Sequence, residues 1–239
     1  MNCFKVSPIF KTALTCASVI VIVFLTAQSL ASKPVVVFPN LKIDQASTKD
    51  STKNLKVGSI PQNPQDISPL LTGETIPAVE LLNLAGKSVS LNEAVSKSLT
   101  ILIFYRGGWC PYCSKQLSGI QLIEKDLHQM GYQVIAVSTD SPKNLAATMD
   151  KQKLSYNLLS DADLSVSKQF GLAFKAPANY DKILPEASDF KNMDKLLPVP
   201  SVFILDKKGK ILFEYINPNI TERISPELLK AAASILREI

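Results

Sequence analysis

The chain has 239 residues, 46% of them apolar and 20% charged, with a net charge of +5. That length supports one domain with extensions, or two small domains. The lysines are scattered rather than gathered into a basic stripe with aromatic platforms, which argues against a nucleic-acid-binding face. Four cysteines, two of them only three residues apart, do not make the scaffold of a disulfide-stapled secreted fold.

The first segment reads as an export signal. Lys5 and Lys11 precede the apolar run "ALTCASVIVIVFLTA" (13–27), and Ser29 and Ala31 are the small residues a signal peptidase tolerates, with cleavage expected after Ala31. The rival is an uncleaved anchor, since 13–31 approaches the ~20 residues that span a bilayer. Gln28 and Ser29 interrupt the end of the run and favour cleavage. Both readings place the remainder outside the cytoplasm (periplasmic, lumenal or extracellular), with membrane contact only if the segment stays uncleaved. Cys3 and Cys16 fall inside it and read as small apolar residues. Residues 32–65 are rich in Lys, Ser, Thr, Asn, Gln and Pro with no sustained period, and read as a linker. The folded domain is expected over 66–239.

Within that domain, 78–84 and 85–91 read as two short strands joined by a turn. "LTILIFY" (99–105) is a continuous apolar run suited to a strand buried on both faces. Residues 111–130 carry Leu117, Ile120, Leu122, Ile123 and Leu127 at helical spacing and stop before Gly131. A second buried strand follows at 132–139, then a helix over 141–154 with Ser141 as N-cap and Pro142 in its first turn. A short strand and turn (156–163) and a short helix (164–172) come next. Residues 173–198 read as irregular, with a helix over 186–197. "SVFILD" and "ILFEYI" flank "KKGK" as a hairpin, and 225–239 is a capped terminal helix. Alternation of this kind implies helices layered on a partly parallel sheet.

The chemistry lies in "YRGGWCPYC" (105–113). A CxxC opening the helix after a buried strand is a redox arrangement. Cys110 falls at the helix cap, where unpaired N–H groups and the helix dipole favour a thiolate. Cys113 lies one turn in, close enough for a disulfide. Cys110 is expected as the exposed attacking sulfur and Cys113 as the buried resolving one. A purely structural disulfide is the plainer alternative. Zinc would need two more ligands. No metal and no cofactor is expected. His128, the one histidine, sits on the polar part of its helix and reads as a surface residue. Arg106 either supports a thiolate or is a surface charge beside the loop. Pro200 precedes a strand, and a cis bond from Val199 would leave backbone N–H and C=O groups beside the CxxC for an extended substrate. Trp109, Val199 and Pro200 would then shape a substrate groove.

"FYRGGWCPYC", "LSDADLSVSKQFGLAFK", "LPVPSVFILDKKGKI" and "INPNITERISPEL" together resemble the peroxiredoxin-like (alkyl hydroperoxide reductase/thiol-specific antioxidant) branch of the thioredoxin superfamily, over roughly 68–239. The resemblance implies a thioredoxin-like three-layer α/β/α sandwich with a mixed central sheet. It also exposes a departure. Laid on the peroxiredoxin pattern, Cys113 takes the peroxidatic position, Cys110 that of the helper Thr, Arg106 that of the helper Pro, and Pro200 that of the distant Arg. A thioredoxin-type alignment makes Cys110 the attacker, but 101–105 ("ILIFY") lacks the buried acid of thioredoxins. Two functions follow. The first is an exported thiol–disulfide oxidoreductase acting on protein disulfides. The second is an antioxidant thiol peroxidase that reduces hydroperoxides and draws on a thioredoxin-type electron donor.

Overall fold

The computed structural model describes residues 59–237. The expected export segment, with Cys3 and Cys16, and residues 32–58 of the expected linker lie outside the described residues. The elements run β1 (Glu80–Leu82), β2 (Ser88–Ser90), α1 (Leu91–Val95), β3 (Leu99–Tyr105), α2 (Pro111–Gln129), β4 (Tyr132–Ser138), α3 (Pro142–Gln152), β5 (Asn157–Ser160), α4 (Ser165–Gln169), β6 (Ala173–Lys175), α5 (Ile183–Ala187), β7 (Leu196–Pro198), β8 (Ser201–Leu205), β9 (Ile211–Ile216) and α6 (Pro226–Leu236).

Seven strands form one sheet in the order β2-β1-β5-β4-β3-β8-β9. β3, β4 and β5 are parallel, with Leu99 opposite Tyr132, while β8 pairs antiparallel to β3 with Thr100 opposite Leu205. Placing β3 between β4 and β8 explains its unbroken apolar run, because both of its faces are covered. Ile101, Ile103 and Tyr105 point to the layer of α2, α3 and α6, where they meet Leu117, Ile120, Leu145 and Leu229. Leu102 and Phe104 point the other way, to Leu91, Val95 and Phe170 of the opposite layer. Burying each such side chain fully contributes about 1.5–3 kcal/mol. The expected three-layer sandwich with a mixed sheet is what forms.

Three local expectations need correction. Helix α1 arises where only a strand end was expected, because the Ser90 hydroxyl accepts from the Glu93 amide at 3.3 Å and caps one turn. Ile60 packs against Leu164, Ala173 and Leu196, and Pro61 O accepts from the Lys175 amide, so the chain joins the domain before residue 66. The segment 173–198 is ordered. β6 and β7 pair as a small second sheet, with Phe174 opposite Leu197. The expected helix over 186–197 does not form: α5 ends at Ala187 and Asp189 and Phe190 take positive φ of 53° and 57°. Polar side chains there hold the backbone in turns instead of a helix. Asn192 alone accepts from the Leu196 amide and donates to the Leu196 carbonyl.

Candidate active site

The site lies where β3 delivers the chain to α2. Pro111 occupies the first helical position and Cys110 caps the helix in an extended conformation (φ −87°, ψ 118°). Between strand and cap, Gly107 and Gly108 allow a tight turn closed by Cys110 N–H donating to Gly107 O at 3.1 Å. Both must lack a side chain: a Cβ on Gly107 would strike the Trp109 indole, and one on Gly108 would strike the Thr148 hydroxyl. That turn folds Arg106 back over the helix start.

Arg106 Nη2 donates to Cys110 Sγ at 3.0 Å, and Nη1 donates to the Tyr180 hydroxyl at 2.7 Å. The guanidinium also lies against the rings of Trp109 and Tyr180, 5.5 and 5.2 Å from their centroids, and those rings are themselves 5.6 Å apart. Arg106 is 3% exposed and its Nε–H has no partner among the described residues. Arg106 is therefore no surface charge. On the other side, Arg223 Nη2 donates to Cys113 Sγ at 3.5 Å.

The two thiols diverge. A hydrogen bond from the Cys113 thiol lowers the Cys110 pKa most, burial opposes it, and Arg106 adds to the lowering, which brings Cys110 to about 5. Burial pushes Cys113 well up, as does its donation to Cys110, and Arg223 acts against that rise. Both cysteines are reduced. These shifts favour the negative charge on Cys110 and the proton on Cys113.

Cys110 is not exposed, contrary to expectation: both sulfurs are fully buried. The site residues expected from the sequence come together only in part. Trp109, half-buried, packs with Tyr180 on the cluster containing Val199. The Val199 amide, however, already donates to Leu172 O at 2.9 Å, and its carbonyl accepts from the Ser201 hydroxyl. Pro200 is buried and its carbonyl accepts from the Asn217 amide. No free backbone edge remains at Val199 for an extended substrate. His128 is exposed, as expected. Among the described residues no group of three or more His, Cys, Asp or Glu could hold a metal ion.

Three residues of the site were not legible in the sequence: Tyr180, Arg223 and Asp140. Asp140 Oδ2 accepts from the Gly108 amide at 2.6 Å, and burial raises its carboxyl to about 6. One signal was available for Arg223. The chain has only three arginines beside twenty-three lysines, and two of the three, Arg106 and Arg223, touch the two cysteines. A planar, always-charged fork suits a sulfur anion better than a mobile ammonium.

The AhpC/TSA family model matches residues 72–213, more than half of the chain. The chain belongs to the AhpC/TSA family. Similar members include the putative peroxiredoxin bcp of Haemophilus influenzae, 37% identical over 106 residues (44% of this chain and 68% of that protein). Peroxiredoxin Bcp of Escherichia coli K12 is 31% identical over 106 residues, covering 44% and 67%. Among solved structures, peroxidoxin BcpB of Mycobacterium tuberculosis superposes with a TM-score of 0.57 at 24% identity, covering 71% of this chain and 98% of that one. Reduced Prx3 of Vibrio vulnificus in complex with hydrogen peroxide gives 0.59 at 20%, covering 69% and 99%. The thioredoxin-like fold inferred from the motifs is therefore the family's fold. Like its family, the protein is a thiol-dependent oxidoreductase.

Proposed function

We propose that the protein is an exported thiol peroxidase that reduces hydroperoxides with the Cys110–Cys113 dithiol. The observation that carries this reading is the buried pairing of Cys110 with Arg106. Cys110 is fully buried, so a folded protein disulfide needs a far larger opening of the site to reach the sulfur than a small peroxide does. The occupied Val199 amide and carbonyl argue in the same direction. Arg106 also answers the apparent loss of the peroxiredoxin helper groups. The position before β8 holds Pro200, but a guanidinium still touches the thiolate, delivered from the end of β3 instead. Its unpartnered Nε–H is a donor for a peroxide oxygen.

In this reading the Cys110 thiolate attacks the outer oxygen of ROOH. The O–O bond breaks, the released alkoxide takes a proton to leave as ROH, and Cys110 becomes a sulfenic acid. Cys113 then attacks the Cys110 sulfur, expels water and closes the disulfide. An external dithiol of thioredoxin type returns both sulfurs to the reduced state once the oxidised site has opened to admit it. The basic, apolar and small-residue pattern of the first 31 residues supports export. The deciding assay is a pair. Reduced protein should consume hydrogen peroxide rapidly and reduce insulin disulfides poorly. Fast insulin reduction with no peroxide consumption would restore the disulfide-exchange reading.

A further inference from the structure

The peroxidase reading gives Arg106 a task in the first step and leaves Arg223 without one. Arg223 is nonetheless built in. Its Nη1 donates to the carbonyls of Ile220 and Glu222, which fixes the guanidinium from its own loop. The next residue, Ile224, is buried in the cluster that holds Cys113, and Ser225 caps α6 by accepting from the Leu228 amide. Leu229 and Ala233 of α6 lie in the same cluster. Arg223 Nη2 is thus held against Cys113 Sγ by the packing of α6 on α2, across 110 residues of sequence. Its Nε is buried and unpartnered among the described residues, so desolvating this cation has a cost that its contacts in the resting site do not fully offset.

The charge on the site changes during turnover. In the resting dithiol, Cys113 shares its proton with the Cys110 thiolate and has no need of a cation. Once Cys110 is oxidised, that negative charge is gone, and Cys113 must become the nucleophile. We propose that Arg223 is the catalytic cation of the resolving step, holding the Cys113 sulfur as a thiolate after Cys110 has been oxidised and so setting the rate of disulfide closure. The inference rests on Cys110 being the first attacker, as the peroxidase reading has it. The balance is simple: Cys113 gives up its proton, its sulfur bonds to Cys110, and the group on Cys110 leaves with the electron pair, as water when that group is hydroxyl. The other titratable groups facing Cys113 are Cys110 at the cap of α2, Arg106 beyond it, and Tyr105 on β3, whose phenol burial keeps protonated. Among the described residues Arg223 is the cation bonded directly to Cys113.

Two oxidants separate this step from the first. Hydrogen peroxide makes the Cys110 sulfenic acid. Methyl methanethiosulfonate instead makes a methyl mixed disulfide on Cys110 and releases methanesulfinate, and Cys113 then expels methanethiolate. Acid quenching of the reduced full chain followed by mass spectrometry times the closure in each case. With both oxidants Arg223→Gln should slow closure by about tenfold at pH 7 and raise the pH at which closure is half-maximal by about 1. Arg223→Lys should recover most of the rate. The first step should slow far less than the second. Unchanged closure in Arg223→Gln would overturn the proposal, and so would equal slowing of both steps in the Gln and Lys variants, which marks a structural role. If the Gln variant does not fold, the native chain decides: a closure midpoint below about 8.5, the value of a free cysteine, is expected, and a midpoint above it overturns the idea. If peroxide leaves Cys110 untouched while methanethiolate release still depends on Arg223, the peroxidase reading falls and the role of Arg223 stands.

Discussion

Arg106 Nη2 lies 3.0 Å from the sulfur of Cys110, and the guanidinium that makes this bond is itself buried. A cation desolvated beside a thiolate interacts with it far more strongly than it would in water. Because the Cys110 pKa sits at about 5, the rate of its reaction with peroxide should be level near pH 7 and fall as the pH drops through about 5. Arg106→Gln removes one of the three groups that hold the thiolate and leaves the hydrogen bonds from the Cys113 thiol and amide in place. Its rate profile should move to higher pH, and a midpoint raised from pH 5 to pH 6 would cost about tenfold in rate at acid pH. Stopped-flow rates between pH 4 and 8 test this, and superimposable profiles would remove Arg106 from the mechanism.

Tyr180 holds the far side of the same guanidinium by accepting from Nη1 at 2.7 Å. Tyr180→Phe keeps the ring that lies against Arg106 but strands a donor. The expected result is a stability loss of about 1–3 kcal/mol, with slower reaction at Cys110 because the fork is less firmly aimed. Urea melts and peroxide kinetics on the same variant read the two effects.

Cys113→Ser should stop after one oxidation. Without a resolving sulfur, Cys110 remains a sulfenic acid that dimedone captures, while Cys110→Ser should show no adduct at Cys113 at neutral pH. The single tryptophan, Trp109, adjoins Cys110 and stacks near Arg106, so its fluorescence should change during the first step in Cys113→Ser. A dimedone adduct on Cys113 of the Cys110→Ser protein, formed as fast as the native reaction, would reverse the roles of the two sulfurs.

The strand, the turn and the helix that build this site were legible because each carries its own local signal. An apolar run gave β3, a proline at the first helical position and apolar spacing gave α2, and Gly131 gave its end. The helix start suggested a low pKa for Cys110, but the groups that lower it are the Cys113 thiol, Arg106 and the Cys113 amide. The rest depends on chain segments far apart. Tyr180 is 74 residues from Arg106 and Arg223 is 110 from Cys113, and no local pattern ties them together. Arg106 could be read either way because its burial depends on Tyr180. Likewise, a proline before a strand suggested an open backbone edge at Val199, yet the segment 173–198 folds so that Leu172 uses that amide. Its turns are set by individual polar side chains such as Asn192, which carry no period to read.

The two glycines of the loop make a steric prediction. A Cβ on Gly108 would meet Thr148 of α3 at its hydroxyl, its methyl and its own Cβ. Gly108→Ala should cost about 1–3 kcal/mol as overpacking and displace the cap at Cys110. Thr148→Ala removes two of those three contacts and leaves the Cβ at 3.0 Å, so the double variant should recover part of the loss. Urea melts of the four proteins form a double-mutant cycle, and strict additivity would show that the clash is relieved elsewhere.

Asp140 should leave a mark on the pH dependence of stability. Burial raises its carboxyl from an ordinary value near 3.9 in the unfolded chain to about 6 in the folded one. Between those pH values the folded protein binds more protons than the unfolded chain, so this group makes stability fall as pH rises from about 4 to about 6. Asp161, also buried and also raised to about 6, adds a fall of the same sense. Cys110 works oppositely: its lowered pKa makes stability rise above about pH 5, until the unfolded thiol ionises. Asp140→Asn keeps an oxygen to accept from the Gly108 amide and removes the titration, while Asp161 and Cys110 are untouched. The difference in unfolding free energy between variant and native protein should therefore move in favour of the variant across pH 4–6 and be flat above about 7. Urea melts at whole-number pH values measure it, and two parallel curves would mean that Asp140 ionises in the folded protein as freely as in water.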